Sequence, residues 1–206
     1  MNSKSPLTWE ELVKNNISLS RLPAVRREDL DEKGRQAYDT CADPKSRLWA
    51  KLVGVPGFWL HIPELLAPVR ELNWGLRRKD SGLESRLREL TILVTAREND
   101  AQYEWTAHEP YALNEGLDPA IIDVVKYRKP ISELPEKEAL IIRFGRELFQ
   151  TRKVSPETFS QALRAFGEKG VVQMVGLMGN YTMTAVIFHA IGQQLRPEQT
   201  PLLPID

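Results

Sequence analysis

Residues 88–116 read RELTILVTARENDAQYEWTAHEPYALNEG, and this stretch combines a strong helical signal with the most suggestive polar side chains of the chain. Leu83, Leu87, Leu90 and Val94 recur at helical spacing and predict a helix over 85–98 with one apolar stripe. A short polar turn follows. A second helix is predicted over 102–115, closed by Gly116 at a C′ position that favours positive φ. On that helix Glu104 and His108 are i and i+4, so they neighbour each other on a face shared with Ala101, Trp105 and Ala112. Gln102, Thr106 and Glu109 fall on the opposite face. Glu89, on the first helix, has Ile92 and Leu93 at i+3 and i+4, which sets another carboxylate among apolar neighbours.

Outward from this hairpin the chain reads as helix almost throughout, and strand-type alternation is hard to find. Upstream, 64–78 is helical, with Leu65, Val69, Leu72 and Leu76 in register. Before it lies a proline-punctuated apolar connector, 51–63, and earlier still a short helix over 29–40. Residues 1–30 form an arm with little periodicity beyond 9–13. Downstream, Asp118-Pro119 and Ser155-Pro156 each place a cap residue before a proline at the first helical position. Between them 135–151 carries Ile141, Phe144 and Leu148 on one face. The apolar block 171–191 is expected to be a buried helix pair divided at Gly179-Asn180, because its polar residues argue against a membrane span. The expected organisation is an arm over 1–45, a helical domain over 46–196 and an irregular tail over 197–206. About eight helices are expected in an all-α fold.

Composition narrows the function classes. The 206 residues carry 28 basic and 28 acidic side chains, so no general attraction to nucleic acid or to anionic membranes is expected. With a single cysteine, Cys41, neither an internal disulfide nor a CxxC motif can form, and Cys41 is expected to be a bystander thiol. Without an apolar N-terminal run of signal-peptide length, a cytoplasmic protein is expected. Glycine-rich phosphate loops and nucleophile-elbow motifs are absent from the sequence.

A carboxylate beside an imidazole can hold its tautomer and tune its basicity, so Glu89, Glu104 and His108 are candidates for a proton relay if the two helices pack as an antiparallel hairpin. The same spacing also occurs on solvated helix faces. A metal at Glu104 and His108 is an open alternative, but two side chains do not make a site, and neither metal nor cofactor is expected. Arg86, Arg88 and Arg97 flank the Glu89 helix, and Arg97 is the arginine assigned to hold a substrate carboxylate. Trp105, His61 and Trp59 are further candidates for substrate contact, His61 and Trp59 from the 51–63 connector beside Phe58. His189, inside the apolar block, is expected to be a hydrogen-bonded core histidine. Two other functions stay open: a non-catalytic oligomeric or ligand-binding module using apolar surface around Trp49, Phe58, Trp59 and Trp74, and a hydroperoxidase using Cys41 alone.

The segment RLRELTILVTA (86–96), then Glu104-Trp105-Thr106-Ala107-His108 with Ala112 and Gly116, then 117–122, resembles the carboxymuconolactone decarboxylase/alkylhydroperoxidase AhpD-like superfamily. The resemblance covers about 50–195 and is most specific between 87 and 122. It implies an AhpD-like helical bundle assembled as a homo-trimer or hexamer. It also matches Glu89 and His108 to the family's glutamate and histidine. The peroxidase branch carries CxxC cysteines at the positions of Ala101 and Glu104, so thiol-based peroxide reduction of that kind is excluded here. The pattern is closer to the decarboxylase branch, which implies a cofactor-independent lyase acting on a small carboxylated lactone or related ring compound. His108 would be general acid/base, aligned by Glu104 and Glu89. Two departures stand out: Glu104 occupies a position usually uncharged or cysteine, and Pro110 is expected to kink or split the second helix.

Overall fold

The computed structural model describes residues 18–43, 45, 52–78, 80 and 82–205; the predicted periodicity at 9–13 and the side chain of Trp49 lie outside them. Among the described residues there are eight α-helices, one 3-10 turn and no strand: Arg27–Asp29 (3-10), α1 (Glu32–Ala42), α2 (Val55–Trp59), α3 (Pro63–Arg77), α4 (Ser85–Glu98), α5 (Gln102–Asn114), α6 (Pro119–Lys126), α7 (Glu136–Thr151) and α8 (Pro156–Ile191). The chain divides into two compact units, Met1–Leu72 with Phe188–Thr200, and Asn73–Ile187 with Pro201–Asp206.

In the first unit, Asp31 caps α1 by accepting from the Gly34 N–H at 2.7 Å. The connector contains a short helix where none was expected: Gly54 takes φ 76 and Pro56 occupies the first turn of α2. Cys41, Leu60 and Leu66 form a small core, with Val25, Tyr38 and Trp59 packed against it. Residues 19–21 are tied to the chain after α8, the Arg21 N–H donating to the Ile191 carbonyl (2.7 Å) and the Gln194 N–H to the Leu19 carbonyl (2.8 Å). His189 is exposed instead of lying in the core, because the last turn of α8 turns it outward.

The second unit is organised around α4. Every residue from Leu87 to Ala96 is buried, so α4 is enclosed on all sides, not along the single stripe that its leucine spacing predicts. It packs against α5, α6 and α7. The polar residues it buries are served locally: the Thr91 hydroxyl donates to the Leu87 carbonyl and the Thr95 hydroxyl to the Thr91 carbonyl, both at 2.8 Å. The approach of α7 is close enough that a Cβ on Gly145 would lie 2.3 Å from Val94 Cγ1, which only glycine permits.

The α4–α5 hairpin exists because its turn is over-determined. Asp100 adopts φ 47, its N–H donates to the Arg97 carbonyl and the Ala101 N–H to the Ala96 carbonyl, the hydrogen-bond pattern of a Schellman closure. Arg97 Nη1 donates to Asp100 Oδ1 at 2.9 Å and holds that turn. α5 ends in the same way at Gly116 (φ 83), with Leu117 N–H donating to the Ala112 carbonyl. α6 and α8 start as predicted: Asp118 accepts from the Ala120 N–H (2.8 Å), and Ser155 Oγ from the Thr158 N–H (3.2 Å).

Two expected breaks are absent and one is elsewhere. α5 runs unbroken from Gln102 to Asn114 through Pro110. Proline deletes one ladder donor there, but Trp105, Thr106, His108 and Ala112 are all buried around the helix, and this packing holds it. α8 runs through Gly179-Asn180, where the Asn180 carbonyl accepts from the Thr184 hydroxyl one turn on. Its interruption falls at Gly167, whose φ 65 and ψ 174 are outside the helical region. α8 is long and apolar enough by length and composition to cross a membrane, and more than half of that window is buried inside the protein.

Candidate active site

The hairpin brings the three predicted relay residues together. His108 Nδ1 lies 2.8 Å from Glu89 Oε2, and His108 Nε2 lies 3.8 Å from Glu104 Oε2. All three are buried, with relative exposures of 5% for Glu89, 4% for Glu104 and 7% for His108. Glu104 and His108 share one face of α5, and Glu89 reaches them from α4, whose all-round burial places that carboxylate in the interior.

Sequence reasoning missed the fourth member. Arg77, in the last turn of α3, donates from Nη2 to Glu89 Oε1 at 2.9 Å. Glu89 thus spends one oxygen on the guanidinium and the other on the imidazole. Tyr181 of α8, itself buried, sets its ring edge-on to His108 at a centroid distance of 5.0 Å, and the exposed Tyr111 ring lies 6.0 Å away. Burial pushes the Tyr181 phenol upward, out of reach of ordinary ionisation. No periodicity marks Arg77. Tyr181 had a faint signal, an aromatic with a polar handle inside an apolar block.

The two glutamates share a site but their carboxyl pKa values are shifted in opposite directions. Burial works to raise the pKa of Glu89, but the hydrogen bond and charge of His108 and the charge of Arg77 outweigh it, so Glu89 stays ionised below the usual carboxylate range. Glu104 has no such contact. Burial dominates, the charges of His108 and Arg77 only partly oppose it, and its pKa is raised. Since an ionised Glu89 can only accept, Nδ1 must carry the proton toward it. Nε2 is then the ring nitrogen turned toward Glu104. Glu104 Oε2, with its pKa raised, faces Nε2 at 3.8 Å, too far for a hydrogen bond. The imidazole nitrogen and the carboxyl oxygen are close enough that both could hydrogen-bond one atom lying to the side of the line between them.

The remaining candidates are placed otherwise. Arg97 is a structural clamp, held by Asp100 and by the Pro204 carbonyl at 3.3 Å. Arg88 donates to the Leu83 carbonyl and to Ser85 Oγ, and Arg86 pairs with Glu138 and Glu84. Trp105 is fully buried in the core, and its indole N–H donates to Glu109, which also accepts from Lys126 at 2.8 Å. His61 and Trp59 belong to the first unit. There Trp59 packs edge-on against Phe58 at 5.1 Å, and His61 is exposed and borders a cavity of about 10 Å3, room for at most a water-sized body. Among the described residues no group of three or more His, Cys, Asp or Glu side chains is arranged to hold a metal ion. Cys41 is 1% exposed, and burial pushes its thiol up to about 11, which leaves it a poor thiolate.

The family described as the carboxymuconolactone decarboxylase family matches residues 63–140, a span that includes Arg77, Glu89, Glu104 and His108. No curated protein matches the chain. The fold is AhpD-like. A peroxidase-related protein with an alkylhydroperoxidase AhpD core from Ralstonia eutropha JMP134 is similar in structure with TM-score 0.66 and 20% identity, over 85% of this chain and 92% of that one. An Agrobacterium tumefaciens protein of unknown function, described as a candidate antioxidant defence AhpD, has TM-score 0.59 and 16% identity, over 72% of this chain and 97% of that one. A debrominase in complex with 2,3,4-tribromopyrrole has TM-score 0.60 and 12% identity, over 84% and 90%.

Proposed function

We propose that this chain is a cofactor-independent acid–base enzyme, a carboxy-lyase resembling 4-carboxymuconolactone decarboxylase, acting on a small carboxylated lactone or related ring compound. The observation that carries the reading is the facing pair of His108 Nε2 and Glu104 Oε2 at 3.8 Å, with Glu89 locked on the far side of the imidazole at 2.8 Å. The match to the decarboxylase family over 63–140 supports the substrate class.

In this mechanism the bond between ring and carboxylate breaks, CO2 leaves, and its electron pair passes into the conjugated lactone. Glu104 gives its proton to the carbon where that charge accumulates. His108 then returns a proton from solvent to Glu104, so the net change is one carboxylate and one proton converted to C–H and CO2. Glu89 is a positioning residue that fixes the His108 tautomer. The same acid and base serve an isomerase if Nε2 removes the proton that Glu104 replaces.

The test is turnover of 4-carboxymuconolactone, followed by CO2 release, in the wild type and in His108→Ala. A loss of about 10²-fold or more is expected in the variant. Full activity in the variant, or no turnover of any carboxylated lactone by the wild type, would sink the reading. Two other readings carry less support. A binding module would favour an exposed Glu104 and His108, and both are buried. A peroxidase needs a reactive thiol, and Cys41 is sealed in a core.

A homo-oligomer, trimeric or hexameric, is part of the proposal. Val172, Val175, Gly179 and Val186 lie exposed along α8, with Thr182 half-buried between them, at alternating spacings of three and four. That spacing suits helix-on-helix packing, and the stripe carries no charge that would oppose a second copy. Light scattering of the wild type against Val175→Lys tests it: a monomeric wild type refutes the assembly.

A further inference from the structure

We propose that Arg77 is the anion anchor of this site, and that it takes a carboxylate of the bound molecule on the edge of its guanidinium that Glu89 leaves free. The proposal takes from the acid–base reading only the location of the site. It names the residue that selects what enters there.

The argument begins with the donors. Nη2 is committed to Glu89, whereas Nε and Nη1 make no hydrogen bond among the described residues, and the side chain reaches solvent. A guanidinium carries five N–H donors in a planar fork that matches a carboxylate, so a partly used fork keeps a second recognition edge. The Arg77 side chain is 27% exposed, against 6% for Glu89 and 9% for His108. The arginine therefore opens outward from a buried relay. Tyr111, exposed and beside His108, stands on the same open side, and its phenol and that of Tyr181 both act electrostatically on Arg77.

Charge supports the same ligand class. Glu89 alone divides its two oxygens between the Arg77 guanidinium and the His108 imidazole. A bound carboxylate supplies a second anion beside a guanidinium that shares its first with the imidazole, which an uncharged ligand cannot do. An uncharged ligand lying over that edge of the guanidinium would also leave Nε and Nη1 without partners or water. Arg88 cannot substitute, because it is 6% exposed and turned to the Leu83 carbonyl and Ser85 Oγ.

The experiment uses maleate as an anionic probe and maleamide as its neutral counterpart, read by calorimetry and by the side-chain nitrogen resonances of His108, assigned by comparison with His108→Gln. Maleate should bind saturably and shift the His108 signals, and maleamide should not. Arg77→Gln should weaken maleate by about 10-fold or more. Arg77→Lys should weaken it by several-fold, since one ammonium cannot serve both Glu89 and the ligand. Arg97→Gln should bind as the wild type does. If Arg77→Gln fails to fold, Arg77→Lys decides. Wild-type affinity in either folded Arg77 variant, equal binding of maleamide, or no maleate binding to the wild type overturns the anchor. His108→Gln should still bind maleate, and a wild type that binds maleate in the Arg77-dependent way but turns over no carboxylated lactone refutes the acid–base reading and leaves the anchor standing.

Discussion

Glu89 gives one oxygen to Arg77 and the other to His108, at 2.9 and 2.8 Å, so a single buried carboxylate fixes both the cation and the base of the site. This predicts a tautomer effect. Glu89→Gln presents a side chain that can donate as well as accept, and the proton preference of His108 loses its cause. Turnover should fall by about 10–10²-fold, with the His108 nitrogen spectrum showing Nε2 protonated in a larger fraction of molecules. An unchanged spectrum would remove Glu89 from its positioning role.

Glu104→Gln separates function from stability. The pKa of Glu104 is raised in the folded state, so its contribution to stability is fully present below the unfolded carboxylate pKa of about 4.3 and is lost as pH rises through the folded value. Glutamine mimics the neutral acid at every pH. The variant should be inactive yet more resistant to denaturant than the wild type at pH 8, with the advantage gone at pH 4. A variant less stable at pH 8 contradicts the neutral-acid assignment.

Arg97→Ala should cost about 1–2 kcal/mol of stability through loss of its contacts to Asp100 and the Pro204 carbonyl. It should leave KM for a lactone substrate unchanged, as urea unfolding and steady-state kinetics would show together. A raised KM with unaltered stability would restore the substrate-binding role that its sequence position suggests.

Gly145→Ala places a Cβ 2.3 Å from Val94 Cγ1 between two buried helices. Overpacking of this kind costs about 1–3 kcal/mol. Val94→Ala in the same chain should recover part of the loss, and a double-mutant cycle with zero coupling would show that the contact is not the cause.

Cys41→Ser puts a hydroxyl where a 1% exposed thiol packs against apolar neighbours, so the first unit should unfold at lower denaturant concentration. Peroxide consumption should be the same in both proteins.

The hairpin and its relay were legible because the information is local. Helical spacing, Gly116, and the i,i+4 pair of Glu104 and His108 each specify geometry within a few residues. Glu89 needed one further assumption, antiparallel packing, which the Asp100 turn supplies. What escaped was non-local or competing. Arg77 joins the site from another helix, with no pattern to announce it. Arg97 has the same chemistry and a better sequence position, but a neighbouring aspartate claimed it for the turn. The apolar stripe on α4 was a true signal of burial that understated its extent, because Glu89, Thr91 and Thr95 are polar by name and satisfied by their partners. Gly179-Asn180 and Pro110 show the limit of local breakers once a helix is packed.

The chain after α8 sets the order in which the second unit can be completed. Leu203 belongs to the same core as Leu87 and Trp105, and the Leu202 N–H donates to Thr106 Oγ1. The hairpin that carries the relay is therefore finished by residues made about a hundred positions later. During synthesis the helices of this unit must wait, partly uncovered, for that segment to emerge, and high-contact-order closure of this kind is slow. Completion of the core around Glu89, Glu104 and His108 therefore depends on a late-made segment, and anything that delays or removes Leu202 and Leu203 should loosen the hairpin.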